Sequence, residues 1–90
     1  MSEISQTILI TNKRGLHARA SAKFVTLASG LTATVHVAKD SNEVVATSIM
    51  GLMMLGAAMG DSITIPASGN GAQEAGDQLA TLVENKFGED

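Results

Sequence analysis

The fold is decided around residues 15–24, GLHARASAKF, where a helix begins. Gly15 suits a turn, and the polar residues after it alternate with apolar ones at helical spacing. The apolar positions are Ala20, Phe24, Leu27, Ala28 and Leu31. This spacing predicts an amphipathic helix that begins at Ala18 and ends at Gly30, a residue that commonly terminates helices. His17 therefore lies immediately before the first helical turn.

The segments around this helix predict four strands and two further helices. Alternating apolar residues predict strands over residues 6–11, 32–38, 43–47 and 61–67. The middle two strands form a hairpin across KDSN, and Pro66 is expected near the end of the fourth strand, where its missing N–H does least harm. The apolar run SIMGLMMLG predicts a second helix that starts at Ser48. Asn70 is the predicted cap of a third, amphipathic helix.

This order of elements, βαββαβα, predicts an α+β fold. Two interlocked βαβ units with right-handed crossovers give an open-faced β-sandwich, in which three helices cover one face of a four-stranded, mainly antiparallel sheet. The hydrophobic pattern leaves the order of the strands open. Residues 1–90 are expected to form a single domain, because a chain of 90 residues buries only a modest core. Any chemistry should therefore take place near the surface.

The composition excludes several classes of protein. Only 2% of the residues are aromatic and 44% are hydrophobic, so we expect an aliphatic core. The chain has no cysteine, which excludes a disulfide framework and a thiolate nucleophile. The start MSEISQTILI lacks a secretory signal, so a cytoplasmic location is expected. The apolar run over residues 49–59 is well below the roughly 20 residues of a membrane helix, and no membrane insertion is expected.

The charges are distributed unevenly. The net charge of −3 argues against a nucleic-acid partner. No acidic residue occurs between Glu3 and Asp40, however, and four of the six basic residues surround His17: Lys13, Arg14, Arg19 and Lys23. The sequence predicts a small positive spot around His17 on an otherwise acidic chain.

The position of His17 suits phosphoryl chemistry. The free N–H groups at a helix start carry the positive end of the helix dipole, which attracts anions and favours the neutral, nucleophilic imidazole. A phosphoryl group on His17 could be held by backbone amides such as those of Ala18 and Arg19, and by the Arg19 guanidinium. The alternative is that His17 has only a structural role and carries no chemistry. His36 is expected at the surface in mid-strand, and the spacing of residues predicts neither a metal site nor a cofactor site.

The motif GLHARASAKFV, followed about thirty residues later by SIMGLMMLG, resembles the HPr family. These proteins are histidine-containing phosphocarriers of the phosphoenolpyruvate-dependent phosphotransferase system. The resemblance covers essentially the whole chain and implies the sheet order 1-4-2-3. It implies that His17 accepts phosphate from phosphorylated enzyme I and passes it to an EIIA component, and that Arg19 stabilises the phosphohistidine. Such a protein is a stoichiometric carrier rather than a self-sufficient enzyme.

The chain departs from the family at one position of the site. The family usually has proline after the HAR sequence, where this chain has Ala20. Loss of the ring should soften the first turn of the helix without removing it, because alanine is an excellent helix former.

The second helix has more apolar side chains than a helix of its length can bury. Leu52 and Leu55 should face the sheet, and a helix this short cannot also bury Ile49, Met50 and Met53, so some of these three should face water. The alternative is that all five belong to the core. By resemblance, the exposed residues form the surface that docks enzyme I and EIIA components.

Ser48 should cap this second helix. The resemblance adds regulatory phosphorylation of Ser48 by HPr kinase/phosphorylase, which would place negative charge beside the docking surface. Besides a phosphocarrier, two hypotheses stay open. One is a regulatory module whose phosphorylation at His17 and Ser48 controls target proteins without sugar transport, and the other is a plain interaction domain. A monomer is expected.

Overall fold

The computed structural model describes residues 3–89. Within this range the chain forms four strands and three α-helices in the predicted order, followed by a 3₁₀ turn that was not predicted. Their bounds are β1 Glu3–Leu9, α1 Ala18–Ser29, β2 Thr34–Lys39, β3 Asn42–Val45, α2 Ile49–Met54, β4 Ser62–Ser68, α3 Ala72–Glu84 and the 3₁₀ turn Lys86–Gly88. The sheet order is β1-β4-β2-β3, and each neighbouring pair is antiparallel. The open-faced α+β sandwich and the order 1-4-2-3 are confirmed.

The first strand is longer towards the N-terminus than the sequence predicted. It was expected over residues 6–11 and instead starts at Glu3, because Glu3 pairs with Ser68 at the far end of β4. The predicted strand 43–47 ends at Val45, since the chain turns there towards α2. Both differences concern the ends of strands and leave the alternation of inward and outward residues unchanged.

Pro66 is near the end of β4, as expected, with two strand residues after it. Pro66 is inside β4, which is a central strand and pairs with Ser5 of β1 at this position. On the other side, the ladder with β2 contains the pairs Val35↔Ala67 and Ala38↔Thr64 but no pair between them. Proline has no N–H to donate, so the central strand accommodates it by giving up part of one ladder.

The core lies between the inner face of the sheet and the three helices. Its fully buried apolar side chains are aliphatic apart from Phe24 and Phe87, which agrees with the expected composition of the core. The largest aliphatic contributors are Ile10, Val37, Leu52, Ile63, Ile65, Leu79 and Val83. Phe24 anchors α1 to this core, so the start of α1 is held in a fixed place relative to the sheet.

The predicted cap of the third helix was wrong. The cap position of α3 is Gly71, which has φ 75° and makes no side-chain capping hydrogen bond. Asn70 instead accepts a hydrogen bond at its backbone oxygen from Thr32 Oγ1 at 3.2 Å. A left-handed turn at glycine carries the chain into α3, so the Asn70 side chain is not needed there.

The helices of the described residues are short or amphipathic. Across residues 3–89, none is long and apolar enough to cross a bilayer.

Candidate functional site

His17 is the N-cap residue of α1, as the sequence predicted. Its backbone is extended, with φ −75° and ψ −179°, and its Nδ1 accepts a hydrogen bond from the Arg19 N–H at 3.3 Å. The first intrahelical hydrogen bond runs from Ser21 N–H to the His17 carbonyl oxygen at 2.8 Å. The amides of Ala18, Arg19 and Ala20 therefore precede the helical ladder and are donors at the helix start. The structure brings the imidazole and these amides together.

Gly15 fixes the loop that leads to His17. Its φ is +63°, and a Cβ atom built there would lie 2.3 Å from the Ala57 carbonyl oxygen and 2.8 Å from the Ala58 Cα. Leu16 N–H donates to the same Ala57 oxygen at 2.9 Å. Glycine alone combines the left-handed conformation with this close approach. The His17 loop is thus docked on the segment that follows α2.

The side chain of Glu89 lies on the other ring nitrogen of His17. Its Oε2 contacts His17 Nε2, and its Oε1 accepts a hydrogen bond from Asn12 Nδ2 at 3.0 Å. The side chains of His17 and Glu89 are only 14% and 21% exposed, respectively. The sequence analysis missed this carboxylate because 72 residues separate it from His17. The apolar spacing assigned Phe87 to the third helix, but Phe87 lies in the 3₁₀ turn after α3 and is fully buried. This apolar residue was the available sign that the C-terminal segment packs on the core.

The two neighbours of the His17 ring require the same tautomer. Nδ1 accepts an N–H and must hold a lone pair, and an ionised carboxylate can only accept, so Nε2 must carry the proton. The hydrogen bond from Asn12 is the main cause that holds the pKa of Glu89 below its usual range; burial opposes this shift, whereas His17 and the positive charge of Arg14 add to it. Glu89 is therefore ionised at neutral pH, and the lone pair of the ring faces the amides of α1.

Arg19 is an exposed cation in the first turn of α1. Among residues 3–89 its guanidinium forms no ion pair and no hydrogen bond, whereas Lys39 pairs with Asp40 at 3.2 Å and with Asp61 at 3.8 Å. Lys23, predicted as part of the positive spot, is engaged elsewhere, because its Nζ donates to the Phe87 carbonyl oxygen at 2.8 Å. Arg19 is thus available for an incoming anion.

The first turn of α1 forms without the proline that the family usually has. The helix starts at Ala18, and Ala20 is fully buried. Because Ala20 keeps an N–H ahead of the helical ladder, this chain has one more amide donor in the first turn than a protein with proline there.

The exposed apolar residues of and after α2 form a surface that we call the methionine patch. Its members are Ile49, Met50, Met53, Met54 and Met59, with exposures of 41–81%. Leu52 and Leu55 are buried, whereas Ile49, Met50 and Met53 are exposed. The prediction that only part of this apolar run is buried is therefore confirmed, and the alternative that all five residues belong to the core is wrong. Met54 and Met59 were not among the predicted surface residues. The patch adjoins the segment that contacts the His17 loop.

Ser48 caps α2 as predicted. Its side chain accepts a hydrogen bond from Gly51 N–H at 2.9 Å, and the residue is half-buried at the edge of the methionine patch. His36 belongs to a different region: it lies in β2 opposite Val45 and is half-buried. In the part of the chain that the structure describes, no three potential ligands are grouped as a metal site.

Comparison with known proteins assigns a family to this arrangement. The family model of the PTS HPr component phosphorylation site matches residues 4–85. The chain belongs to the HPr family. The phosphocarrier protein HPr of Cupriavidus necator is 48% identical over 80 residues, which cover 89% of this chain and 90% of that protein. Membership in this family makes the chain a phosphocarrier of the phosphotransferase system.

Solved structures of the HPr family share the fold. HPr from Thermoanaerobacter tengcongensis superposes with a TM-score of 0.90 at 46% identity and covers 100% of this chain and 99% of its own. Crh from Bacillus subtilis, a catabolite repression protein whose crystal structure shows a dimer with a swapped domain, gives a TM-score of 0.75 at 40% identity; the match covers 92% of this chain and 95% of that chain. The HPr fold therefore extends over the whole described chain.

Proposed function

We propose that this protein accepts a phosphoryl group on Nδ1 of His17 from phosphorylated enzyme I and passes it to an EIIA component. One observation carries the proposal: the Nδ1 lone pair of His17 faces the backbone amides at the start of α1, and Nδ1 accepts a hydrogen bond from the Arg19 N–H. A nucleophile and hydrogen-bond donors are the parts that phosphoryl transfer needs from a carrier. The proposed carrier is a monomer in the cytoplasm that binds its two partners in turn.

The transfer step is balanced without a separate base. The Nδ1 lone pair attacks the phosphorus atom, an N–P bond forms, and the bond between phosphorus and the donor breaks with its electron pair left on the donor. The ring keeps the proton on Nε2 and takes up the positive charge. In delivery to EIIA, a lone pair of the acceptor forms the new bond to phosphorus, the bond between Nδ1 and phosphorus breaks, and its electron pair returns to the ring.

The amides and Arg19 hold the transferred group in this proposal. The Arg19 N–H makes only a long hydrogen bond to Nδ1, 3.3 Å, so it can turn to a phosphoryl oxygen at little cost. The neighbouring amide of Ala18 and the forked guanidinium of Arg19 supply further donors for the same oxygens. In this proposal the Arg19 N–H is already at Nδ1 before the phosphoryl group arrives.

The methionine patch is the proposed docking surface for enzyme I and EIIA. Flexible, polarizable methionine side chains can repack against different partners, and Met50 and Met54 are exposed by 69% and 81%. A phosphate on Ser48, added by an HPr kinase/phosphorylase, would place about two negative charges at the edge of this patch. We propose that such a modification weakens docking.

The direct experiment is incubation with phosphoenolpyruvate and enzyme I. The wild-type chain should gain an acid-labile, alkali-stable phosphate, and His17→Ala should gain none. His36→Ala is the matched control, because it removes the other histidine, which lies in β2 away from the site. An unlabelled wild-type chain, or a label that survives in His17→Ala, would overturn the proposal.

A regulatory module is the second candidate, and the likeness to Crh favours it. In that case the phosphorylation of His17 and Ser48 controls target proteins, and no sugar transport depends on the chain. The two candidates differ in delivery: a carrier loaded on His17 transfers its phosphate to EIIA, whereas a regulatory module retains it and binds a target.

A further inference from the structure

We infer that Glu89 is a positioning residue for His17. The C-terminal segment Lys86–Glu89 holds the Glu89 carboxylate on Nε2, so that Nδ1 is the nitrogen that attacks phosphorus. The same carboxylate stabilises the positively charged ring that forms in this step. The inference rests on the proposed function, since it concerns the same phosphoryl transfer. It assigns a role to a residue beyond the family match, which ends at residue 85.

The C-terminal segment is anchored at two points. Phe87 is fully buried in the core, and its carbonyl oxygen accepts a hydrogen bond from Lys23 Nζ of α1 at 2.8 Å. Lys86 and Phe87 adopt left-handed φ values of 57° and 55°, which side-chain-bearing residues disfavour. Such a conformation persists where the surrounding contacts determine it. The turn directs the following residue, Glu89, back towards the start of α1.

Asn12 joins this segment to the His17 loop. It is fully buried, and its Nδ2 donates both to the Gly15 carbonyl oxygen at 2.9 Å and to Glu89 Oε1 at 3.0 Å. Its Oδ1 has no hydrogen-bond partner among the described residues. One amide group therefore holds the loop before His17 and the carboxylate behind the ring in a fixed relation, and the carboxylate orients the ring.

The charge change during transfer gives the contact a chemical role. A neutral imidazole that acquires phosphorus on Nδ1 and keeps its proton on Nε2 becomes a cation. A carboxylate hydrogen-bonded to Nε2–H stabilises that cation more than it stabilises the neutral ring, so it favours the transfer step itself. In catalytic triads, too, a carboxylate bonded to one ring nitrogen of a histidine orients the ring and stabilises its charged form while the other nitrogen reacts.

The geometry argues against Glu89 as a competitor of the phosphoryl group. The carboxylate occupies Nε2, whereas the Arg19 N–H at the start of α1 lies at Nδ1. A competitor would need to occupy the side of the ring that phosphorus approaches. The two roles give opposite results on removal of the charge: loss of a positioning residue slows loading of His17, and loss of a competitor accelerates it.

The test compares Glu89→Gln with the wild type in two measurements. Long-range ¹⁵N–¹H NMR of the unphosphorylated imidazole should show the Nε2–H tautomer in the wild type and a mixture of tautomers in Glu89→Gln, whose amide can donate as well as accept. The rate of loading by phosphorylated enzyme I should fall about tenfold in the same variant. Glu84→Gln is the matched control, because Glu84 is exposed at the end of α3.

The outcomes separate this inference from the proposed function. The NMR measurement needs no enzyme I, so a wild-type protein with the predicted tautomer but no phosphorylation contradicts the proposed function alone. A Glu89→Gln variant with an unchanged tautomer and unchanged loading rate contradicts the role of Glu89 alone. Faster loading in Glu89→Gln would also overturn it and would identify the carboxylate as a competitor.

Discussion

At the scale of single residues, one imidazole ring is held by two hydrogen bonds from opposite ends of the chain. The Arg19 amide at the helix start leaves a lone pair on Nδ1, and the Glu89 carboxylate fixes the proton on Nε2. The sequence predicted that His17 lies immediately before the first turn of α1, because a helix start is a local property, but it did not predict the hydrogen bond to Nδ1. It could not predict the contact with Glu89, because that contact depends on the tertiary path of the C-terminal segment.

Removal of the Arg19 guanidinium should slow phosphoryl transfer. We expect Arg19→Ala to lower the rate of loading by enzyme I about tenfold, because charge-assisted bonds to the phosphoryl oxygens are lost. Lys13→Ala is the control for charge alone, since Lys13 is also an exposed cation of the positive spot. Stopped-quench measurement of both variants checks the prediction, and equal losses would show that only net charge matters.

Glu89 should make the stability of the protein depend on pH. Its pKa is lowered in the folded state, chiefly by Asn12 and further by His17 and Arg14, so the ionised form stabilises the fold. This contribution is fully present above the unfolded-state pKa, about 4.3, and is lost as pH falls through the lower folded-state pKa. Urea unfolding of the wild type and Glu89→Gln should therefore differ at pH 7 and converge towards pH 3. A difference that is independent of pH would contradict the assigned ionisation.

At the scale of elements, the sequence predicted the order and the buried faces, whereas several ends of elements were wrong. Phe24 and Leu52 were correctly placed inside because helical periodicity reports burial directly. The predicted Asn70 cap was wrong, and the central position of the strand that contains Pro66 was not predicted. Whether a strand is central depends on pairing between distant segments, and whether a side chain caps a helix depends on the turn that precedes it.

Two glycines of similar backbone conformation, one before α1 and one after α2, allow a test of how the loop before α1 packs. Gly15 and Gly56 have φ values of +63° and +66°, but a Cβ atom at Gly56 meets nothing within 4 Å, whereas one at Gly15 meets the Ala57 carbonyl oxygen. Both alanine variants lose about 1–2 kcal/mol to the left-handed conformation. Gly15→Ala should lose roughly 1–3 kcal/mol more through overpacking and should displace His17. Equal unfolding free energies in urea would contradict this account of the loop.

The start of α2 offers a test of the charge at Ser48. Ser48→Asp and Ser48→Asn both retain a good N-cap residue, so the helix should persist in both. Only the aspartate adds a negative charge at the edge of the methionine patch. We expect slower loading by enzyme I in Ser48→Asp and near wild-type loading in Ser48→Asn. If the two variants load at the same rate, charge at Ser48 does not control docking.

At the scale of the whole molecule, the proposed chemistry and the proposed docking surface lie side by side. The hydrogen bond from Leu16 to Ala57, 2.9 Å, joins the loop before His17 to the segment beyond α2. A partner seated on the methionine patch therefore contacts the protein next to the reactive ring. The sheet carries no part of the site; its role is to hold α1, α2 and the C-terminal segment in place.

The most direct test of the central claim is to locate the phosphate on the loaded protein. ³¹P and ¹⁵N NMR of the chain after incubation with phosphoenolpyruvate and enzyme I should show phosphorus bonded to Nδ1 of His17, with the proton retained on Nε2. Phosphorus on Nε2, on His36 or on no histidine would contradict the account.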